Sequence, residues 1–256
     1  MIKSFDMETS KKSSSISDIR LSCNVLKFIA CVIMAIDHFG YGVIHNYLKI
    51  HGMDIVPETY TMLSNTLEVC RGIGRIAFPI FCFFLVEGFI RTRSVAKYAF
   101  RLGLFAILSE IPFDLGLYGK LFYWKHQNII LTFFMALIMM LILRYLEQNT
   151  LSLSQSTVFL AYVCTAVTFA QVSYMIHADY SWKCILLVAV LYLLRESSSF
   201  RLVAGAAATS WEKYAPLSFI LLYFYDPSVK PRFKYAFYLF YPLHLLAVYL
   251  VALLVI

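Results

Sequence analysis

Apolar runs separated by short polar breaks fill almost the whole of this 256-residue chain. A helix that crosses a bilayer needs about 20 apolar residues, fewer where it is bent or re-entrant. Runs of this kind lie at 25–44, 73–90, 96–117, 128–146, 155–176, 182–195, 200–212, 214–225 and 234–256. They predict an all-α fold, a polytopic transmembrane helical bundle of about 8–9 spans. The short pair 200–212 and 214–225, interrupted by Trp211-Glu212-Lys213, reads as two crossings or as one bent helix. Residues 1–24 are polar, with Lys11, Lys12 and a run of serines, and read as a disordered cytoplasmic tail. No small-residue cleavage site follows them, so no signal peptide is expected. Residues 25–256 then form a single multi-helix membrane domain.

Charge sets the orientation. Nine crossings with a cytoplasmic N-terminus place 15 of the 22 Lys and Arg residues on the inner side. Merging the short pair weakens that bias, so the positive-inside tendency favours nine crossings, or eight plus a re-entrant pair. Composition agrees: 61% of residues are hydrophobic and 14% charged. A soluble domain would hold about 45–50% apolar and about 25% charged residues. The chain reads as a multi-pass protein of the cell membrane with the lipid bilayer as a partner. Its basic excess fits cytoplasmic loops and not nucleic-acid binding. The six cysteines include no CxxC pair and read as small buried hydrophobes.

Ionisable residues interrupt the apolar runs at Asp37-His38, Arg75, Glu87, Glu110 and His244. Each costs a few kcal/mol on insertion scales, so several together point to chemistry or transport. On the nine-span topology, Asp37, His38, Arg75, Glu110, Asp114, His126, Asn128 and Asp179 gather in the outer half. Glu87 falls near the inner end, beside a basic rim of Arg91, Arg93, Lys97, Arg101, Lys230, Arg232 and Lys234. Neighbouring helical residues point about 100° apart, so Asp37 and His38 cannot pair with each other. Arg75 and Glu110 are their expected partners. Glu110 and Asp114 share a helix face, so one holds a proton or both meet an arginine. A kink is expected at Pro112. His244, just past Pro242, reads equally as a second active-site residue or a packing histidine. No His, Cys, Asp or Glu set has metal-ligand spacing, and no metal or bound cofactor is expected.

Several ordered blocks resemble the TraX family. They are Asp37-His38; Gly74-Arg75-Ile76-Ala77-Phe78-Pro79-Ile80-Phe81 with Glu87-Gly88; and Arg101-Leu102 with Ser109-Glu110-Ile111-Pro112-Phe113. Further blocks are His126-Gln127-Asn128 with Thr132, Ala178-Asp179-Tyr180-Ser181-Trp182, and Tyr241-Pro242-Leu243-His244-Leu245. The family's namesake is a membrane acetylase of the F-type pilin N-terminus. The resemblance therefore implies an acyltransferase with acetyl-CoA as co-substrate and an intramembrane histidine at its centre. Where members carry a Tyr-Asn-Gly-basic turn before the last span, this chain has Tyr225-Asp226-Pro227-Ser228-Val229-Lys230.

The expected reaction moves acetyl from cytoplasmic acetyl-CoA to an amine or hydroxyl at the outer face. The acceptor stays open among a peptide N-terminus, a glycan and a small molecule. His38 would be the base or acyl carrier, Asp37 or Glu110 its orienting group, and Arg75 the oxyanion donor. Glu87, Asp114, His126, Asn128, Asp179 and His244 would support the acceptor side. Arg91, Arg93, Lys97, Arg101 and Lys234 would hold the CoA phosphates. The same buried groups would also serve a proton-coupled transporter or export partner, or merely staple helices in a scaffold.

Overall fold

The computed structural model describes residues 20–149, 154–229 and 233–256 and no side chain for Lys234. Of the expected tail, residues 1–19 lie outside that range, as do Lys230 and Arg232. Helix α1, Cys23–Phe39, begins where the Ser22 hydroxyl accepts the Val25 N–H at 3.3 Å. It runs without a break through a π segment, Gly40–His45, into α2, Asn46–His51. Wider turns of this kind leave backbone carbonyls poorly satisfied. Here the Asn46 amide donates to Gly42 O at 2.9 Å and to Leu117 O at 3.0 Å, tying the segment to a second helix. Helix α3, Pro57–Gly74, starts on a proline, whose fixed φ suits a first turn. A corner at Arg75 and Ile76 leads into α4, Ala77–Arg91.

Helix α4 is the centre of the bundle, buried along most of its length and packed against α1 and three later helices. Those are α6, Ile129–Asn149, α8, Ser181–Leu193, and α10, Ser218–Tyr223. The intervening elements are α5, Val95–Tyr118, α7, Gln155–Met175, and α9, Ser198–Ala208. The last helix, α11, Lys234–Val255, lies along α5 and α1. Helix α5 continues through Pro112 and ends at Gly119, whose φ of 63° suits glycine. Asn128 caps α6: its Oδ1 accepts the N–H groups of Ile130 and Leu131. Helix α7 buries only Ser173 and is otherwise a peripheral helix.

The expectation of eight or nine spans is corrected. Among the described residues, five helical stretches are long and apolar enough to cross a membrane: Cys23–His51, Pro57–Arg91, Ile129–Asn149, Gln155–Met175 and Tyr235–Val255. Run 96–117 does form a helix, α5, but Lys97, Arg101, Glu110 and Asp114 stud it. Runs 182–195, 200–212 and 214–225 become helices of 13, 11 and 6 residues. Apolar runs this short more often face a protein core than lipid. In the other direction, α3 is too polar to read as a span, yet it joins α4 in one 35-residue stretch.

Candidate functional site

Asp37 sits on α1 facing the end of α3. Gly74 makes that approach possible, since a Cβ there would overlap the Asp37 carboxyl. The carboxylate accepts from Arg71 Nη1 at 2.9 Å, and Arg75 Nη2 lies 3.9 Å away. Arg71 and Arg75 are one helical turn apart, so both guanidinium groups reach the same oxygen. Arg75 also donates to the Tyr180 hydroxyl at 2.9 Å and approaches Glu212 at 4.0 Å.

Tyr180 belongs to a tight loop between α7 and α8. Gln127 N–H donates to His177 O, and Asp179 N–H donates back to Gln127 O, both at 3.0 Å. The Thr132 hydroxyl donates to Asp179 O at 2.7 Å. Tyr180 adopts a left-handed backbone, φ 55°, and its ring lies flat on Phe78 with 3.8 Å between centres. The loop thereby brings the Asp179 carboxyl close to the Asp37 cluster. Burial pushes that carboxyl above its ordinary range, against the pull of Arg75.

His38 follows Asp37 but turns to α11. Its Nδ1 lies 2.7 Å from His244 Nε2, and His244 Nδ1 lies 2.8 Å from the Phe240 carbonyl. Tyr241 packs edge-on against both rings, at 6.1 Å from His38 and 5.6 Å from His244. Close backbone contact sets this corner: a Cβ on Gly116 would stand 2.7 Å from Leu245 O.

A cavity of about 390 Å³ runs through the middle of the bundle. Lys27, Glu87, Arg91, Arg101 and Tyr225 line one end, and Met34, Asp37, Gly74, Asp179 and Tyr241 line the other. Phe81, Phe84 and Phe133 are among the apolar walls between them. His38 and His244 stand behind Tyr241, outside the lining.

The remaining expected site residues scatter. Glu110 does not meet Asp37; it binds the Asn128 amide, and Asn128 also donates to Ala106 O at 2.8 Å. Asp114 accepts the Tyr123 N–H at 2.7 Å, and among the described residues neither carboxylate of that pair meets an arginine. His126 is exposed, its ring parallel to Tyr118 at 5.5 Å. Partial burial and the nearby His177 lower its pKa from the ordinary range. Glu87 bridges Arg201 at 2.7 Å and Arg91 at 2.9 Å. Of the expected phosphate ligands, Arg91 and Arg101 reach the cavity, while Arg93 and Lys97 are exposed beside it. The Lys234 side chain lies outside the described residues. The divergent turn is held by Ser228 N–H donating to Asp226 at 2.9 Å and Arg91 donating to Pro227 O at 2.9 Å.

Sequence reasoning passed over Arg71, Tyr180, Tyr241, Lys27 and Arg201 as site residues. Arg71 carried a signal in its position four residues before Arg75, and Tyr180 and Tyr241 stood within the blocks that resemble the TraX family. No group of three or more His, Cys, Asp or Glu side chains among the described residues could hold a metal ion.

These features define a multi-pass helical membrane protein with a charged cluster at one end of an internal cavity and a histidine pair packed against Tyr241 of its lining. The chain belongs to the TraX family: the TraX protein family matches residues 22–252. It is also similar to "Probable fimbrial assembly protein FimC, serogroup H1" from Dichelobacter nodosus. The two are 27% identical over 249 residues, covering 89% of this chain and 94% of that one. No solved structure matches.

Proposed function

We propose that the protein is an integral membrane acyltransferase that moves acetyl from cytoplasmic acetyl-CoA to an acceptor on the opposite face. Family membership supports a membrane acyltransferase. The observation that carries the finer reading is the cavity, which joins a cationic mouth to the buried Asp37 and Tyr241. Arg91 and Arg101 suit the phosphates of the donor, and the aromatic walls suit its uncharged arm. A volume of about 390 Å³ lies within the range of small-molecule sites.

In the proposed step the Tyr241 ring, which lies between the cavity and His38, moves aside; the acceptor lone pair then attacks the thioester carbonyl while His38 takes the acceptor proton. The carbon–sulfur bond breaks, and the CoA thiolate leaves with the proton that His38 gives up. Arg71 and Arg75, held by Asp37, supply positive charge near the developing oxyanion. The fimbrial-assembly description of the relative favours a polypeptide amine over a glycan or small molecule.

The experiment incubates the nanodisc-embedded protein with radiolabelled acetyl-CoA and peptide acceptors and compares it with His38→Ala. Transfer by the wild type alone is expected. Equal transfer by inserted His38→Ala removes His38 from the mechanism. Absence of donor binding in both removes acetyl-CoA.

A further inference from the structure

We infer that His244 is a positioning residue: it fixes the tautomer of His38 and leaves the Nε2 lone pair of His38 free to react. This rests on the reading of His38 as base or acyl carrier.

A carbonyl oxygen only accepts, so His244 Nδ1, 2.8 Å from Phe240 O, carries its hydrogen. A neutral His244 then has its lone pair on Nε2, the atom 2.7 Å from His38 Nδ1. His38 must donate across that contact, which leaves its own Nε2 unprotonated. The ring planes differ by only 10°. With so short a nitrogen–nitrogen distance, the rings meet edge to edge in one plane, as an N–H···N bond requires. No described residue hydrogen-bonds to His38 Nε2.

Phe240 carbonyl, His244 and His38 thus form a relay in which the second imidazole does the orienting that a carboxylate does for many catalytic histidines. Asp37 does not take that part, because its carboxylate is committed to Arg71. A neutral orienting group spares the interior another buried charge. When His38 takes a proton on Nε2, its Nδ1–H stays in place and its bond to His244 becomes charge-assisted and stronger. No proton needs to pass along the relay. The seat of His244 is fixed because α11 meets α5 at Gly116, where no side chain fits.

The test uses the full chain in nanodiscs with ¹⁵N-labelled histidine and reads tautomers from long-range ¹H–¹⁵N correlations. Both His38 and His244 are expected as Nδ1–H forms, with His38 moving toward Nε2–H in His244→Ala. A wild-type His38 found as Nε2–H overturns the inference, whatever the activity. In acetyl transfer, His244→Ala is expected to lower kcat about 100-fold with KM for the donor little changed. His244→Gln, whose amide can donate to Phe240 O and accept from His38, is expected to recover much of that loss. An unchanged kcat in His244→Ala, or equal losses in the two variants, overturns the positioning role. If the wild-type tautomers are as assigned but no acyl donor supports transfer, the tautomer assignment stands and the acyltransferase reading falls.

Discussion

Gly74 and Asp37 touch so closely that a single added methyl group has no room between them. Gly74→Ala is expected to push the Asp37 carboxylate off Arg71 and to cost about 1–3 kcal/mol, the usual range for overpacking. Acetyl transfer should fall with it. Gly119→Ala is the comparison: it meets no neighbour within 4 Å, and its φ of 63° leaves only backbone strain. That strain is worth about 1–2 kcal/mol and should leave transfer intact. Thermal unfolding in detergent, paired with the transfer assay, separates them; full activity in Gly74→Ala would show that the Asp37 carboxylate need not be held.

Glu87 holds two arginines of unequal burial. The Arg201 side chain is 6% exposed and that of Arg91 47%. Glu87→Ala leaves Arg201 buried without its counter-charge, a change that costs about 3–5 kcal/mol. Arg91→Ala removes an exposed pair one turn apart, worth about 0.3–0.5 kcal/mol. Denaturation midpoints of the two variants should therefore differ widely, and similar midpoints would contradict the burial of Arg201.

Asn46→Ala strips the π segment of both amide hydrogen bonds. A loss of about 1–3 kcal/mol is expected, concentrated where the π segment meets α5. Hydrogen exchange should report faster exchange over Gly40–His45 and little change in α6. Uniform change across the bundle would mean that Asn46 acts elsewhere.

Cys164 is exposed on α7, whereas Cys82 and Cys184 are buried with their sulfurs 3.9 Å apart. A lipid-dissolved carbene photoprobe, which needs no thiolate, should label the α7 segment around Cys164 in the native protein and reach Cys82 and Cys184 only after denaturation. Mass spectrometry of the intact and digested chain decides it. Native labelling of Cys184 would place α8 at the lipid face and undo the described packing.

The sequence disclosed most of the long helices because their apolar runs match the thickness of a bilayer. It overcounted because residues 182–195, 200–212 and 214–225 are apolar for another reason: α8 and α10 pack against α4. It missed α3 because Thr59, Asn65, Thr66 and Glu68 break any apolar stripe there. The site was legible as a set of residue types and not as a set of partners. His38 and His244 are 206 positions apart, so their contact depends on the register of α1 against α11. Glu110, expected beside Asp37, belongs instead to the cap of α6, because helix phase turns it toward Asn128.

The shortness of α9 has a consequence for how the protein is made. Eleven residues rise about 16 Å, roughly half the hydrocarbon thickness, and one of them is Arg201. Such a segment cannot enter a bilayer by itself, since its backbone ends and its guanidinium would face lipid. Glu87 on α4 supplies the counter-charge, and it is synthesised more than a hundred residues earlier. The long helices must therefore be inserted and waiting before α9 can settle among them, which makes closure of the Arg201–Glu87 contact a late step in assembly.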